Sequence, residues 1–442
     1  MRTAGLAFCF LLAVLARATL ADCPRFLWVT NSNEGTVSKL DAPTGAEVAR
    51  YASVTRRSDA LVNHVGRPIP AWGAANNPQN VAVDFYGNAW VTNLAPSAQP
   101  SATKIVNDEP LCFDRNGNQE IDTSREVNGT PGIQIADALE FFGEDDECIA
   151  FTVVLGDLDG WARALAIDRG LDPDDGGNAW IGIYNEQAFY QIEGATGAIL
   201  QRVPPSGAGG NNPFSAAIDG DGTLWATHAC CAAPRLWRID TLTGAHSTIL
   251  PSGLACNGSF GTTIDLAGKV WIGGWPCAAA TVYDPDTSSW FQAAVSGHSG
   301  WGGLGIGLDL RGNVWMAMAT SGLTDGRVAR IDATTALNTG VWDNAGEVPI
   351  GAAVGLDGDV FSVNAGSNDV SRLHIDPITL EPAPHPGTGN VVDLFPVGDV
   401  IESNGDFTGL AMQTIVRPRP PGHIFSDGFR SGSANCWSGV VP

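Results

Sequence analysis

Apolar residues in this chain fall in short runs of four to six with strand-like alternation, and clusters of Gly, Asp, Asn and Pro separate the runs. Residues 213–250 illustrate the pattern. Phe214-Ser-Ala-Ala-Ile218, Thr223 to Thr227, Arg235 to Asp240 and His246 to Leu250 predict four consecutive strands with turns between them. A turn-forming Asp/Gly element followed by an aromatic recurs as Asp84-Phe-Tyr-Gly-Asn-Ala-Trp90, Asp219-Gly-Asp-Gly-Thr-Leu-Trp225, Asp265-Leu-Ala-Gly-Lys-Val-Trp271 and Asp309-Leu-Arg-Gly-Asn-Val-Trp315. Variants run from Asp168 to Trp180 and from Asp357 to Phe361. Trp180, Trp225, Trp271, Trp315 and Phe361 follow one another about every 45 residues, and four short strands in such a period are one blade of a propeller. Trp28 lacks an inner strand before it, while Phe407-Thr-Gly-Leu-Ala-Met412 reads as an inner strand without the rest of its blade. Pairing 407–412 beside 26–31 completes a seventh blade. The expected fold is therefore all-β: a seven-bladed β-propeller closed velcro-fashion by its own ends, which also removes exposed sheet edges.

The predicted boundaries are a leader at 1–21, the propeller at 22–416 and a Pro-rich linker with a tail at 417–442. Arg2, the apolar run from Leu6 to Leu15 and Thr19-Leu-Ala21 carry the leader reading. Residues 107–147 interrupt the first full blade between its third and fourth strands. Composition agrees with a turn-rich β chain: 54 Gly and 27 Pro. The formal net charge of −23 disfavours nucleic acid and anionic membranes as partners, and no segment after the leader is long and apolar enough for a membrane span. A soluble monomer is expected.

Cys9 falls in the leader, and eight cysteines remain, an even number that suggests disulfides in an exported chain. Cys112 and Cys148 bound the insertion and are expected to pair, and Cys23 is left to Cys436. Loops joining strands two and three, and those joining one blade to the next, share one face, here called the top. Cys230, Cys231, Cys256 and Cys277 all fall on it. Two bonds linking 230 and 231 to 256 and 277 would staple neighbouring blades; a vicinal Cys230–Cys231 ring is the rival.

The repeats resemble those of streptogramin lyases (virginiamycin B lyase-like) and related NHL-type propellers over about residues 26 to 415. The Cys112-Phe-Asp-Arg-Asn-Gly-Asn-Gln-Glu-Ile-Asp-Thr-Ser insertion and the tail Ile424-Phe-Ser-Asp-Gly-Phe-Arg-Ser-Gly are similar to segments of exported bacterial proteins. The resemblance implies a secreted or periplasmic bacterial propeller. It also implies a catalytic pattern, with His opening each inner strand and Glu three residues past the aromatic. The inner-strand positions are Gln79, Arg163, Phe214, Phe260, Leu304, Ile350 and Phe407; those past the aromatic are Asn31, Asn93, Ile183, His228, Gly274, Met318 and Asn364. No His stands in the first set and no Glu in the second, so the base and Lewis acid of an elimination do not carry over.

Two sites are proposed by the residues themselves. Asp114, Asn116, Asn118, the Glu120 carbonyl and Asp122 have the spacing by which a loop wraps oxygens around a structural Ca2+. Gln119 stands at the usual turn glycine, and Arg125 at the last ligand position, so Glu126 or the 144–147 acidic cluster must complete the shell. At the top mouth, Asn31, Asn93, Arg163, Phe214, His228, His298 and Asn364 are candidates for contact with a ligand. Aromatic faces beside amides suit an unidentified ligand, protein or glycan. The plainer alternative is that the aromatics pack between blades and the amides satisfy loop backbone. A binding scaffold is the leading expectation, and a diverged lyase or hydrolase working in the central pocket is the alternative. Convergence of His64, Arg163, His228 and His298 with a carboxylate on one cavity would favour the enzyme.

Overall fold

The computed structural model describes residues 26–63, 67–170, 176–204, 212–228, 235–256 and 258–414. Seven antiparallel sheets form the blades of a β-propeller around a central channel. Blade three shows the unit, with strands Pro213–Ile218, Thr223–His228, Leu236–Asp240 and His246–Ile249 paired in order from the channel outward. Blade one carries an additional outer strand, Leu61–Val62, parallel to Ile149–Val154. Among the described residues, no helix is long and apolar enough to cross a membrane.

The recurrent Asp and Trp have a local physical cause. In blades two to five, Asp168, Asp219, Asp265 and Asp309 each accept backbone N–H groups of their own turn with one carboxylate oxygen. The other oxygen accepts the indole N–H of Trp180, Trp225, Trp271 or Trp315 at 2.7 to 3.0 Å. The tie lets a large ring be buried with its polar atom satisfied. Trp28, Trp90, Trp180, Trp271, Trp315 and Phe361 are all buried and fill the core between sheets. Aromatic edges continue it from blade to blade, as where Phe189 meets Trp237 at 5.3 Å. Around the channel the inner strands crowd closely: a Cβ at Gly305 would lie 2.4 Å from the Ile350 carbonyl oxygen, which explains the glycine-rich strand Trp301–Leu308.

The ring closes through a different register from the expected one. Phe26–Asn31, Thr36–Asp41 and Glu47–Ala52 form the outer three strands of blade seven, and the inner edge is residues 401–407, not 407–412. Ile401 bridges Asn31, Glu402 N–H donates to the Thr30 carbonyl, and Trp28 N–H donates to the Phe407 carbonyl at 3.1 Å. Beyond Phe407 the chain turns under the ring, where Asp406, Leu410, Ala411 and Met412 border an apolar cavity of about 70 Å³ at the bottom of the channel. Of the alternation in 407–412 that reads as a strand, Phe407 packs in the seam and Leu410 and Met412 form the apolar side of this plug.

The Cys112–Cys148 disulfide is formed as expected. Cys256 is bonded to Cys277, which replaces the expected bonds from these two to Cys230 and Cys231. This bond ties the segment leading into blade four to that blade's own loop between strands two and three, rather than stapling two blades. Cys230, Cys231, Cys23, Cys436 and His64, like the leader and tail, lie outside the described residues.

Candidate functional site

With residues 401–407 as the inner edge, the seventh position of the mouth belongs to Glu402. Gln79, Arg163, Phe260, Ile350, Ala365, Glu402, Ser403 and Asn404 line a cavity of about 190 Å³ at the top of the channel. Phe214 is buried behind it, edge-on to Phe260 at 5.2 Å, and its ring carries the Arg163 guanidinium at 4.1 Å from the centroid. Among the described residues Arg163 makes no ion pair within 4 Å, and its Nε is buried without a hydrogen-bond partner. Burial lowers the Arg163 pKa, opposed by the charges of Glu402 and Tyr184. Burial likewise raises Glu402 above the usual carboxylate range, opposed by Arg163 and a hydrogen bond from Gln79. The Asn404 side-chain oxygen is a second buried, unsatisfied group at this cavity. Unpaired polar atoms of this kind cost about 1 to 3 kcal/mol each.

The expected amides are elsewhere. Asn31, Asn93 and Asn364 are fully buried and do not line the cavity. Asn31 donates to Thr36 and Ser38, Asn93 to the Ser53 carbonyl and Ser101, and Asn364 to Asp369 and Ser371. Each ties the end of the second strand to the third strand of its own blade, mostly through side-chain hydroxyls and Asp369 rather than through loop backbone, and the Asn93 Oδ1 is buried without a partner. His228 accepts the Asn212 N–H at 2.8 Å, and burial, then Arg235, lowers its pKa. His298 lies in the connection to blade five, its ring near Trp301. Neither histidine borders the cavity.

The insertion loop is on the bottom face. Asp114 accepts the N–H groups of Gly117 and Gln119, and Gln119 adopts φ +71° where a glycine is usual. Asn116 and Asn118 both reach the Asp122 carboxylate, at 2.6 and 3.3 Å, while the Glu120 N–H donates to Asn118. Glu147 is fully buried and accepts the N–H groups of Arg115, Asn116 and Asp122, so it anchors the loop from the Cys148 side. Its neighbour Asp146 accepts from Thr123, Ser124 and Cys148, yet burial still raises its pKa to about 6.

No family model and no curated protein matches the chain. Solved structures do. A protein from Lactobacillus plantarum superposes with TM-score 0.51 at 12% identity over 86% of this chain and 97% of its own. Virginiamycin B lyase from Staphylococcus aureus gives 0.49 at 13% identity, over 76% of this chain and 87% of the lyase. The WD40 repeats of RRP9 give 0.49 at 12% over 78% and 92%. The shared property is the β-propeller fold. At these identities the likeness carries nothing about activity, because propellers host many unrelated functions.

Proposed function

We propose that the protein is an exported binding scaffold that receives a peptide partner at the top of its channel. The observation that carries this reading is Arg163, stacked on Phe214, its Nε buried without a hydrogen-bond partner among the described residues, facing Glu402 across a cavity. A peptide unit supplies the acceptor that Arg163 lacks and the donor that suits Glu402. At about 190 Å³ the cavity is smaller than the roughly 300 to 1,000 Å³ of drug-sized pockets, so it admits about one residue of a longer partner. The net charge of −23 favours a cationic segment. Saturation-transfer NMR with a panel of capped dipeptides and monosaccharides tests this. Peptide signals that vanish with Arg163→Gln are expected. Signals from sugars alone, or peptide signals indifferent to that change, would overturn it.

A second reading rests on Glu402, which lines the cavity with Arg163 and whose burial holds its carboxyl above the usual carboxylate range, as suits a general acid or base in a lyase or hydrolase. Turnover of a streptogramin B depsipeptide by the protein, lost in Glu402→Gln, would establish it.

For the insertion we propose a structural calcium site formed by Asp114, Asn116, Asn118, the Glu120 carbonyl and Asp122. The spacing of these oxygen-bearing residues within one tight loop supports it. Asn116 and Asn118 turn their amide N–H groups to Asp122, and binding would turn their oxygens inward. The loop offers about five of the six to eight oxygens that calcium takes, so water completes the shell. Calorimetric titration beside an Asp114→Ala, Asp122→Ala double variant checks it; equal heats from the two proteins would refute it.

A further inference from the structure

The bottom face carries a second polar cluster, in blade six. The connection between strands Asp369–Leu373 and Val392–Pro396 is expanded, and it folds back so that His374 and His385 meet Asp359. One ligand-type atom from each of the three lies within 4.8 Å of the other two. His374 Nδ1 is 2.7 Å from the Asp359 carboxylate, and the two imidazoles stand edge to face with centroids 4.9 Å apart. Asp359 is buried, and its Oδ1 also accepts the Ile375 N–H at 2.9 Å. Both histidines are partly exposed, so solvent has access to them.

The backbone holds these side chains in place. His374 donates its N–H to the Val391 carbonyl and accepts from Ala383; His385 donates to Asn390 and accepts from Gly389. Pro384 and Pro386 flank His385 and restrict it further. The charge around the cluster is unbalanced. Arg372 is buried between Asp393 and Asp359, its guanidinium 3.9 Å from Asp359 and hydrogen-bonded to Asp393 and to the Ala42 and Pro43 carbonyls of blade seven. Asp357 adds a third carboxylate to the same turn. Arg372 and Arg311, whose guanidinium lies beside Gly358 of this turn, thus stand against three carboxylates.

We propose that Asp359, His374 and His385 form a site for a divalent transition-metal ion of the zinc class. Two imidazoles and a carboxylate are a ligand set that zinc accepts, and oxygen-seeking calcium or magnesium does not prefer it. Ligand atoms around tetrahedral zinc lie about 3.3 Å apart, given bonds near 2.0 to 2.1 Å. The His374 Nδ1 and the Asp359 carboxylate are 2.7 Å apart, and the three ligand atoms lie within 4.8 Å of one another, so the set would close around the ion on binding. An ion here would pin the expanded connection and offset the carboxylate excess at the seam where blade six meets blade seven. The site is on the face opposite the Arg163 cavity and is independent of the function proposed for that cavity.

The test is zinc titration of the full oxidised protein against a chromophoric chelator, repeated with His385→Ala, His374→Ala and the double variant. Circular dichroism would check that each is folded. One zinc per chain is expected with micromolar or tighter affinity, falling tenfold or more in each single variant. Cobalt(II) added instead should give a visible absorption band that the double variant lacks. Zinc bound equally well by the double variant, or no zinc retained by the parent at micromolar concentration, would overturn the assignment.

Discussion

Phe407→Ala removes the largest side chain by which the end of the chain closes the ring. Phe407 is fully buried in a cluster with Leu27, Val81, Ala353 and Phe361, so it joins blades seven, one and six. Deleting a buried Phe costs about 3 to 5 kcal/mol, against a typical total stability of about 5 to 15 kcal/mol. The backbone bond from Trp28 to the Phe407 carbonyl does not depend on the ring. The loss therefore reports side-chain packing at the seam. Urea unfolding of the variant beside Leu242→Ala is the assay. Leu242 is 70% exposed, and its truncation should stay within about 0.5 kcal/mol. Hydrogen exchange in residues 26–31 should rise selectively in Phe407→Ala. A loss no larger than the control's, with unchanged exchange there, would refute closure through 401–407.

Three further outcomes are expected. Replacing Cys112 and Cys148 by Ser opens a loop of sequence separation 36, which costs about 4 kcal/mol on a chain-entropy basis, and exchange over residues 107–147 should rise while the blades hold. Asp146, raised to about 6, is protonated more readily in the folded protein than in the unfolded chain. Its contribution to stability should therefore grow as pH falls from about 6 to about 4, and Asp146→Asn should remove that slope from the insertion's exchange profile. Asp265→Ala leaves the Trp271 indole N–H and two turn N–H groups without their acceptor and should cost about 1 to 3 kcal/mol in urea unfolding, with no effect on binding at the top face.

The blades were legible because the tie that makes them is local. An aspartate, its turn N–H groups and an indole six residues on in blades three to five form a contact written in contiguous sequence. The mouth was legible only in part. Arg163 and Phe214 follow from the repeat, but Glu402 arrives on a segment whose contacts with Thr30 span more than 370 residues and carry no repeat signature. A strand-like pattern in 407–412 was the stronger local signal, although Leu410 to Met412 plug the channel and only Phe407 belongs to the seam. An asparagine ending a strand reads the same whether it faces a ligand or its own blade; only the neighbouring Ser38, Ser101 and Ser371 hydroxyls decide for the latter. Asp359, His374 and His385 carry no sequence signature, because an expanded connection, not a motif, brings them together.

The central functional claim is that Arg163 is kept for a partner rather than for the fold, and the stability of Arg163→Met in the absence of any ligand tests this most directly. The Arg163 Nε, buried without a hydrogen-bond partner, is a cost to the free protein, so an apolar side chain of similar length should raise stability by about 1 to 3 kcal/mol in urea unfolding. A variant destabilised by that amount would show that Arg163 holds the mouth together and would contradict the account.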